Sequence, residues 1–267
     1  MRILVTGATA NVGRMVVDEL LALGADDVRA LTVDPARAAL PPGVDVIRGS
    51  FRRPDTVTAA LDGVDKVYLA PDPATAPAIC RLIADAGVRH IVDMAGPKGQ
   101  HWQEVEDAVE AVGVPFTHLE PGEFMVNATL WTPQIQAGDE VRDAYPDAVN
   151  APIAQEDIAA VAARVLLGDG HEGKSYELTG PEALSRPAKV AAIGAGIGRD
   201  LRYVELTGAD AVALFASLMG EYGQWYLDGL AQLTVHPQRV VPTVADLLGR
   251  PAMSYREWSE RHADLFG

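Results

Sequence analysis

The chain has 267 residues, of which 48% are hydrophobic, so it can bury a sizeable core. Its 22 lysine and arginine residues face 37 aspartate and glutamate residues, which gives a net charge of −15. Such a surface repels nucleic-acid phosphates and anionic lipid headgroups, so we expect neither class of partner. The length favours one domain with an appended lobe over two full domains.

Cys80 is the single cysteine, so no disulfide can form within the chain, and nothing indicates an oxidising compartment. The N-terminus does not resemble a signal peptide, and no apolar run is long enough for a membrane helix. We therefore predict a cytoplasmic protein that binds a small-molecule substrate and makes no membrane contact. A homodimer is left open as its assembly.

Strands alternate with helices along the first 120 residues, which predicts the doubly wound parallel sheet of a Rossmann-type α/β fold. Strands are predicted at 2–6, 28–33, 44–47, 66–70, 90–94 and 116–119. Helices are predicted between them at 12–23, 54–61, 74–86 and 104–112. A smaller C-terminal α/β lobe follows, with helices at 156–167, 186–197 and 255–265 and strands at 175–178 and 201–205. We place the division at residue 150, with residues 1–150 as the Rossmann domain and 151–267 as a substrate lobe packed on it.

A glycine turn, VTGATANVG at 5–13, lies between the first strand and the first helix. Gly7 allows a tight turn, and Gly13 lets the helix pack close to the strand. The N-terminus of the helix then points its free N–H groups at a pyrophosphate, which predicts a nicotinamide dinucleotide site. The middle glycine of this motif is replaced by Ala10, whose methyl group is either tolerated or weakens binding.

Two residues after the second strand bear on the choice between NAD and NADP. An acidic residue there holds a ribose 2′-hydroxyl, whereas an arginine accommodates a 2′-phosphate. Asp34 favours NAD and Arg37 favours NADP, so the sequence leaves the cofactor preference unresolved. Asp34 could equally cap a short helix that starts at Pro35.

The order of several weak motifs resembles the NmrA-like group of atypical short-chain dehydrogenases/reductases. The resemblance covers essentially the whole chain. It is carried by TGAT at 6–9, DPARA at 34–38, GVDKV at 63–67, LEPGEFMVN at 119–127, PIAQEDIA at 152–159, YELTG at 176–180 and YREW at 255–258.

This resemblance implies an NAD(P)-binding domain with a small C-terminal lobe. Members of the group include quinone reductases, other biosynthetic reductases and dinucleotide-sensing regulators. The chain departs from the usual pattern at Ala10, Val33, Ser50 and Glu120. By the resemblance, the dinucleotide is lined by Gly7, Thr9, Ala10, Asn11, Val12, Gly13, Ala70, Pro71 and Ala95, with Asp34 and Arg37 added from the turn after the second strand.

The chain lacks the usual catalytic pair of short-chain dehydrogenases. No tyrosine stands four residues before any of its four lysines, and Ala95 occupies the usual serine position. His101 comes after the fifth predicted strand and Glu120 after the sixth, at the carboxyl edge of the sheet where substrates bind. These two residues are the candidate acid or base. His101 could also be a simple loop residue. Glu123 is better explained as favouring a helix N-terminus.

Four further residues are predicted to line the substrate pocket, although they could equally belong to the core. They are Trp102, Asn127, Trp131 and Tyr145. The histidines show no metal-ligand spacing, so no metal site is predicted. The run GDGHEGKS at 168–175 fits the letters of a P-loop but follows a helix and precedes a strand, so we interpret it as a turn.

Quinone reduction needs no tyrosine–lysine pair, because solvent can supply the proton. The sequence therefore predicts an NAD(P)H-dependent oxidoreductase, with NADP or NAD as cofactor, that reduces a quinone, enone or similar flat acceptor. Two alternatives stay open. One is a non-catalytic regulator that senses dinucleotide, and the other is a cofactor-independent isomerase or cyclase on a retired Rossmann site.

Overall fold

The computed structural model describes residues 1–70, 72–96 and 102–267. Two predicted site residues, Pro71 and His101, lie outside these ranges. Across the described ranges, no helix is long and apolar enough to cross a membrane.

The strands of the described residues fall into one large sheet and two strand pairs. They are β1 (Ile3–Val5), β2 (Val28–Thr32), β3 (Asp45–Arg48), β4 (Lys66–Leu69), β5 (His90–Met94), β6 (Phe116–Pro121), β7 (Glu140–Asp143), β8 (Val149–Asn150), β9 (Lys174–Leu178), β10 (Leu184–Ser185) and β11 (Arg202–Glu205).

The α-helices of the described residues range from 6 to 13 residues in length. They are α1 (Asn11–Ala22), α2 (Ala76–Asp85), α3 (Gln103–Glu110), α4 (Thr132–Ala137), α5 (Gln155–Leu167), α6 (Arg186–Ile197), α7 (Gly208–Met219), α8 (Gly223–Val235), α9 (Thr243–Leu248) and α10 (Tyr255–Arg261). Short 3₁₀ turns lie between several of them.

The chain forms two compact units that interleave along the sequence. The first unit contains residues 1–121, 155–178 and 243–250, and the second contains 122–154, 179–242 and 251–267. That residues 151–267 act as a substrate lobe stays a prediction.

The first unit is a parallel sheet in the order β3-β2-β1-β4-β5-β6-β9. β1 and β2 are buried along their whole length, as both faces of such a sheet are covered by helices. One buried cluster fills the layer between the sheet and α2 and α3, with Ile79, Ile83, Ile91 and Val105 among its members. This confirms the predicted Rossmann-type α/β fold.

The second unit is built around α6 and α10, with the parallel pair β7–β11 and the antiparallel pair β8–β10. Trp258 is fully buried in its larger apolar cluster, where it contacts the rings of Tyr255, His262 and Phe266. A smaller cluster holds α7 and α8 together around Phe215 and Leu227.

Three predicted elements differ from the structure. The helix expected at 255–265 ends as α10 at Arg261 and is followed by the 3₁₀ turn Ala263–Leu265. The strand expected in the lobe at 175–178 is β9, which pairs with β6 and extends the main sheet. The helix expected at 54–61 consists of two 3₁₀ turns, Pro54–Thr56 and Thr58–Leu61. The Thr56 hydroxyl donates to the Arg53 carbonyl and accepts from the Ser50 amide, and such local bonds compete with a regular helix.

Candidate functional site

The glycine turn brings the start of α1 against the end of β1. Gly7 has a φ of +61°, which favours glycine. A Cβ on Gly13 would lie 2.2 Å from the Gly7 carbonyl oxygen, so a side chain larger than hydrogen cannot fit there. The two glycines are therefore required by the shape of the turn, as the sequence predicts.

The N-terminus of α1 presents unpaired donors at this turn. Within the described residues, no side chain caps the helix, and Thr9, Ala10 and Asn11 are exposed. The first N–H groups of a helix have no partner inside it, and the helix dipole adds positive charge there. An uncapped, exposed helix start beside a glycine-lined cradle fits the pyrophosphate of a dinucleotide.

Ala10 leaves this cradle intact. Its φ of −85° and ψ of 171° are ordinary for an L residue, and its N–H donates to the Gly7 carbonyl at 2.8 Å. The backbone therefore needs no glycine at this position. The departure from the motif adds one exposed methyl group without changing the course of the chain.

The turn after β2 lies next to the glycine turn. The hydroxyls of Thr9 and Thr32 are 3.0 Å apart, and the Val33 side chain is 57% exposed. Asp34 stands at the N-cap of the 3₁₀ turn Pro35–Arg37, but its side chain makes no capping hydrogen bond within the described residues. The alternative that Asp34 is a helix cap is therefore not supported. Arg37 is exposed.

Small residues end the strands that border this edge of the sheet. The Thr6 hydroxyl accepts from the Ala70 N–H at 2.8 Å and donates to the Tyr68 carbonyl, which joins β1 to β4. Ala95 follows β5, is 7% exposed and donates its N–H to the Leu119 carbonyl.

Trp102 packs against the segment that follows β5. A Cβ on Gly96 would lie 2.7 Å from the Trp102 ring, so Gly96 makes room for the indole. The Trp102 side chain keeps 37% of its surface exposed.

Glu120 is the penultimate residue of β6, at the same edge of the sheet. It is only 9% exposed, and its Oε1 has no hydrogen-bond partner among the described residues. Because a buried carboxylate oxygen without a donor is costly, such a group is a candidate for a functional role.

A histidine–carboxylate pair lies under α3 in the first unit. His118 Nδ1 is 2.6 Å from Asp93 Oδ2, and both side chains are fully buried. Nε2 of the same ring lies 3.5 Å from Glu110 Oε1. Burial lowers the pKa of His118, but the hydrogen bond and charge of Asp93 outweigh it, so the net pKa of His118 is raised. The raised pKa favours the charged form of the ring beside this carboxylate, whose own pKa is raised by burial.

The second unit contains a larger buried ionic cluster. Glu123 accepts from Lys189 Nζ, from Asn150 Nδ2 at 2.7 Å and from the Tyr226 hydroxyl at 3.0 Å. Burial would raise the pKa of Glu123, but the charges of Lys189 and Arg186 lower it to about 2. The expectation that Glu123 mainly favours a helix start is therefore wrong, since its carboxylate accepts hydrogen bonds from side chains that are distant in the sequence.

In this cluster Tyr226 and Lys189 both donate hydrogen bonds to the Glu123 carboxylate. Their spacing in the sequence is not that of the catalytic pair of a short-chain dehydrogenase. Nothing in the sequence predicts this cluster, because Glu123 and Lys189 are 66 residues apart. Lys189 lies between Ala188 and Val190, and a lysine within such an apolar stretch is the one signal that could have pointed to the cluster.

The pocket residues predicted in the second unit occupy different environments. Trp131 is buried, donates its Nε1–H to Asp143 and lies under the Arg186 guanidinium. Asn127 is exposed on the 3₁₀ segment Met125–Trp131. Tyr145 is 38% exposed and has a φ of +53°. Their assignment to a substrate pocket stays a prediction.

Comparison with known proteins agrees with the geometry of the first unit. A family model described as NAD(P)H-binding matches residues 7–169. The (4-alkanoyl-5-oxo-2,5-dihydrofuran-3-yl)methyl phosphate reductase of Streptomyces griseus is 38% identical, with 99% of each chain covered. The NAD(P)H azoreductase of Xenophilus azovorans is 34% identical, also with 99% of each chain covered.

The chain belongs to the NAD(P)H-binding family of atypical short-chain reductases. A solved structure of this group, the NADPH-dependent quinone oxidoreductase of Escherichia coli complexed with NADPH, superposes with a TM-score of 0.86 at 25% identity. The match covers 98% of this chain and 99% of that one. The resemblance to NmrA-like proteins, the oxidoreductase class and the NADP or NAD cofactor are thereby confirmed.

We expect His118→Gln to lower the free energy of unfolding of this reductase by about 3 to 5 kcal/mol near pH 6, because Asp93 is left buried without its cation. The folded pKa of His118 is raised above its ordinary value of 6.5. The stabilisation is therefore complete below that pH and is lost as the pH rises through the folded pKa. Urea denaturation at several pH values should show the difference from wild type shrinking with increasing pH.

His90→Gln is the matched control for this titration. Burial lowers the pKa of His90 to about 4, and in the unfolded chain its pKa is about 6.5, so the ring is neutral in both states above about pH 7. Its difference from wild type should stay constant over that range. A His118 difference that is equally constant would show that the pair carries no titrating charge.

Proposed function

We propose that this reductase transfers a hydride from NAD(P)H to the conjugated double bond of an enone or quinone. The observation that carries the proposal is the uncapped N-terminus of α1 over the Gly7–Gly13 turn, in a chain without the tyrosine–lysine pair that carbonyl reduction uses. The fold holds the dinucleotide, while the chain lacks the machinery for protonating an alkoxide.

The names of the relatives support this acceptor class. The Streptomyces griseus enzyme is named for a dihydrofuran ring whose double bond is conjugated with a 5-oxo and a 4-alkanoyl group. Two other relatives are named for azo compounds and quinones. Each of these acceptors has a conjugated system that takes up a hydride at one end and a proton at the other.

The bound nicotinamide supplies the hydride, which carries two electrons to the acceptor. The chain's own residues hold the dinucleotide at the turn and manage the proton. Glu120 supports that second role, because it is buried at the carboxyl edge of the sheet with one oxygen unpaired. His101 is the other candidate proton donor from the sequence and lies outside the described residues.

The first test is a titration with NADPH and NADH that follows nicotinamide fluorescence, and then acceptor-dependent loss of nicotinamide absorbance. We expect saturable binding and turnover with a 4-alkanoyl butenolide and with naphthoquinone. Binding without turnover of either acceptor would favour a dinucleotide-sensing regulator. Absence of binding at millimolar dinucleotide would favour a retired cofactor site.

Arg37 is the proposed reader of the 2′-phosphate. It is exposed on the turn after β2, four residues beyond Val33, and Val33 occupies the position that the group usually gives to arginine. Arg37→Ala should weaken NADPH binding about tenfold and leave NADH binding unchanged, because only NADPH carries the extra phosphate. Arg81→Ala, an exposed arginine on α2, is the control. Equal weakening of both dinucleotides would contradict this role.

Glu120→Gln tests the proposed proton donor. We expect kcat to fall about 100-fold while the dissociation constant for NADPH stays unchanged, because the amide keeps the shape but cannot release the proton. Glu177→Gln is a matched control, since Glu177 is the register partner of Glu120 on β9 and is exposed. An unchanged kcat in Glu120→Gln would leave solvent as the proton source.

Trp102, Asn127, Trp131 and Tyr145 remain the proposed lining of the acceptor pocket. The cytoplasmic location, the homodimer and the lack of nucleic-acid partners also remain predictions.

A further inference from the structure

We propose that Gln155, the first residue of α5, is a positioning residue for the dinucleotide. It acts on Asn11, the first residue of α1, whose helix packs against α5. Gln155 Nε2 donates to Asn11 Oδ1 at 3.3 Å, and this bond joins the starts of two helices that are 144 residues apart in the chain. The inference rests on the dinucleotide site of the proposed function.

The bond decides which end of the Asn11 amide faces outward. An asparagine side chain can present either an acceptor oxygen or an NH₂ donor group. With Oδ1 occupied by Gln155, the NH₂ group is the end left for a ligand. An oxygen at this position would repel a pyrophosphate, whereas an N–H donor adds to those of the helix start.

Gln155 is well suited to hold this orientation, while Asn11 alone is not. The Gln155 side chain is only 3% exposed, so packing limits its rotamers. Asn11 is exposed and, without a fixed partner, its amide would be free to turn. The buried Gln155 therefore fixes the orientation of the exposed Asn11 amide.

Gln155 also carries a cost that packing alone does not explain. Its Oε1 is buried and has no hydrogen-bond partner among the described residues. An apolar side chain of the same length would avoid this unpaired acceptor. A residue that lowers stability at the rim of a binding site fits a role in binding better than a role in folding.

The test is a double-mutant cycle on the full chain, with the dissociation constant for NADPH measured by nicotinamide fluorescence. Gln155→Met removes the hydrogen bond and keeps the length of the side chain. We expect it to weaken NADPH binding about fivefold, to raise KM for NADPH and to leave kcat unchanged at saturation. Its melting temperature should equal or exceed that of wild type.

Asn11→Ala supplies the other side of the cycle. If Gln155 acts through Asn11, then Gln155→Met should cause no further loss of binding in the Asn11→Ala background. An equal fivefold loss in both backgrounds would overturn the proposal, as would an unchanged dissociation constant in Gln155→Met alone. Failure of wild type to bind NADPH would instead overturn the dinucleotide site itself.

Thr117→Val is the matched control within the same unit. Thr117 is fully buried on β6 and bonds to His90 and to the His171 carbonyl, so the change removes buried hydrogen bonds at constant shape. It should lower the melting temperature and leave NADPH binding unchanged. A parallel loss of binding in this variant would show that any loss of stability in the unit weakens the site, which would overturn the specific role of Gln155.

Discussion

The close approach of α1 to the end of β1 is the constraint on which the nucleotide-binding unit depends. At Gly13 the helix backbone comes so near the Gly7 carbonyl that no side chain fits between them. This contact fixes where the helix starts and therefore where its free N–H groups point. Thr6, Thr9 and Gln155 each add a hydrogen bond around that start, so a backbone contact and three side chains define one rigid edge.

Both units also contain buried charge. The first unit holds His118 against Asp93, and the second holds Glu123 and Asp143 against Lys189 and Arg186. Removing such charges from water costs energy that only close pairing offsets. Exchange for apolar residues could therefore be neutral for stability, whereas loss of one partner is costly. The pairs favour a single arrangement of side chains in two cores that are otherwise largely apolar.

Much of the fold could be predicted from the sequence because its signals are local. The turn at Gly7 and Gly13 and the alternation of apolar strands with helices sufficed for the Rossmann sheet and its cofactor. The assignment of β9 to that sheet could not be predicted, since pairing with β6 depends on contacts between residues more than 50 positions apart. Because the residues are far apart in the sequence, neither the partners of Glu123 nor the bond between Gln155 and Asn11 could be predicted.

The interleaving of the units has a consequence for how the chain is made. The last strand of the main sheet ends at residue 178, and the first unit is completed by residues 243–250. Synthesis runs from the N-terminus, so β6 emerges with one edge open and stays so until β9 follows. A nascent chain that stops short of β9 therefore exposes a strand edge that invites aggregation, and the first unit is complete only after residues 243–250 have been made.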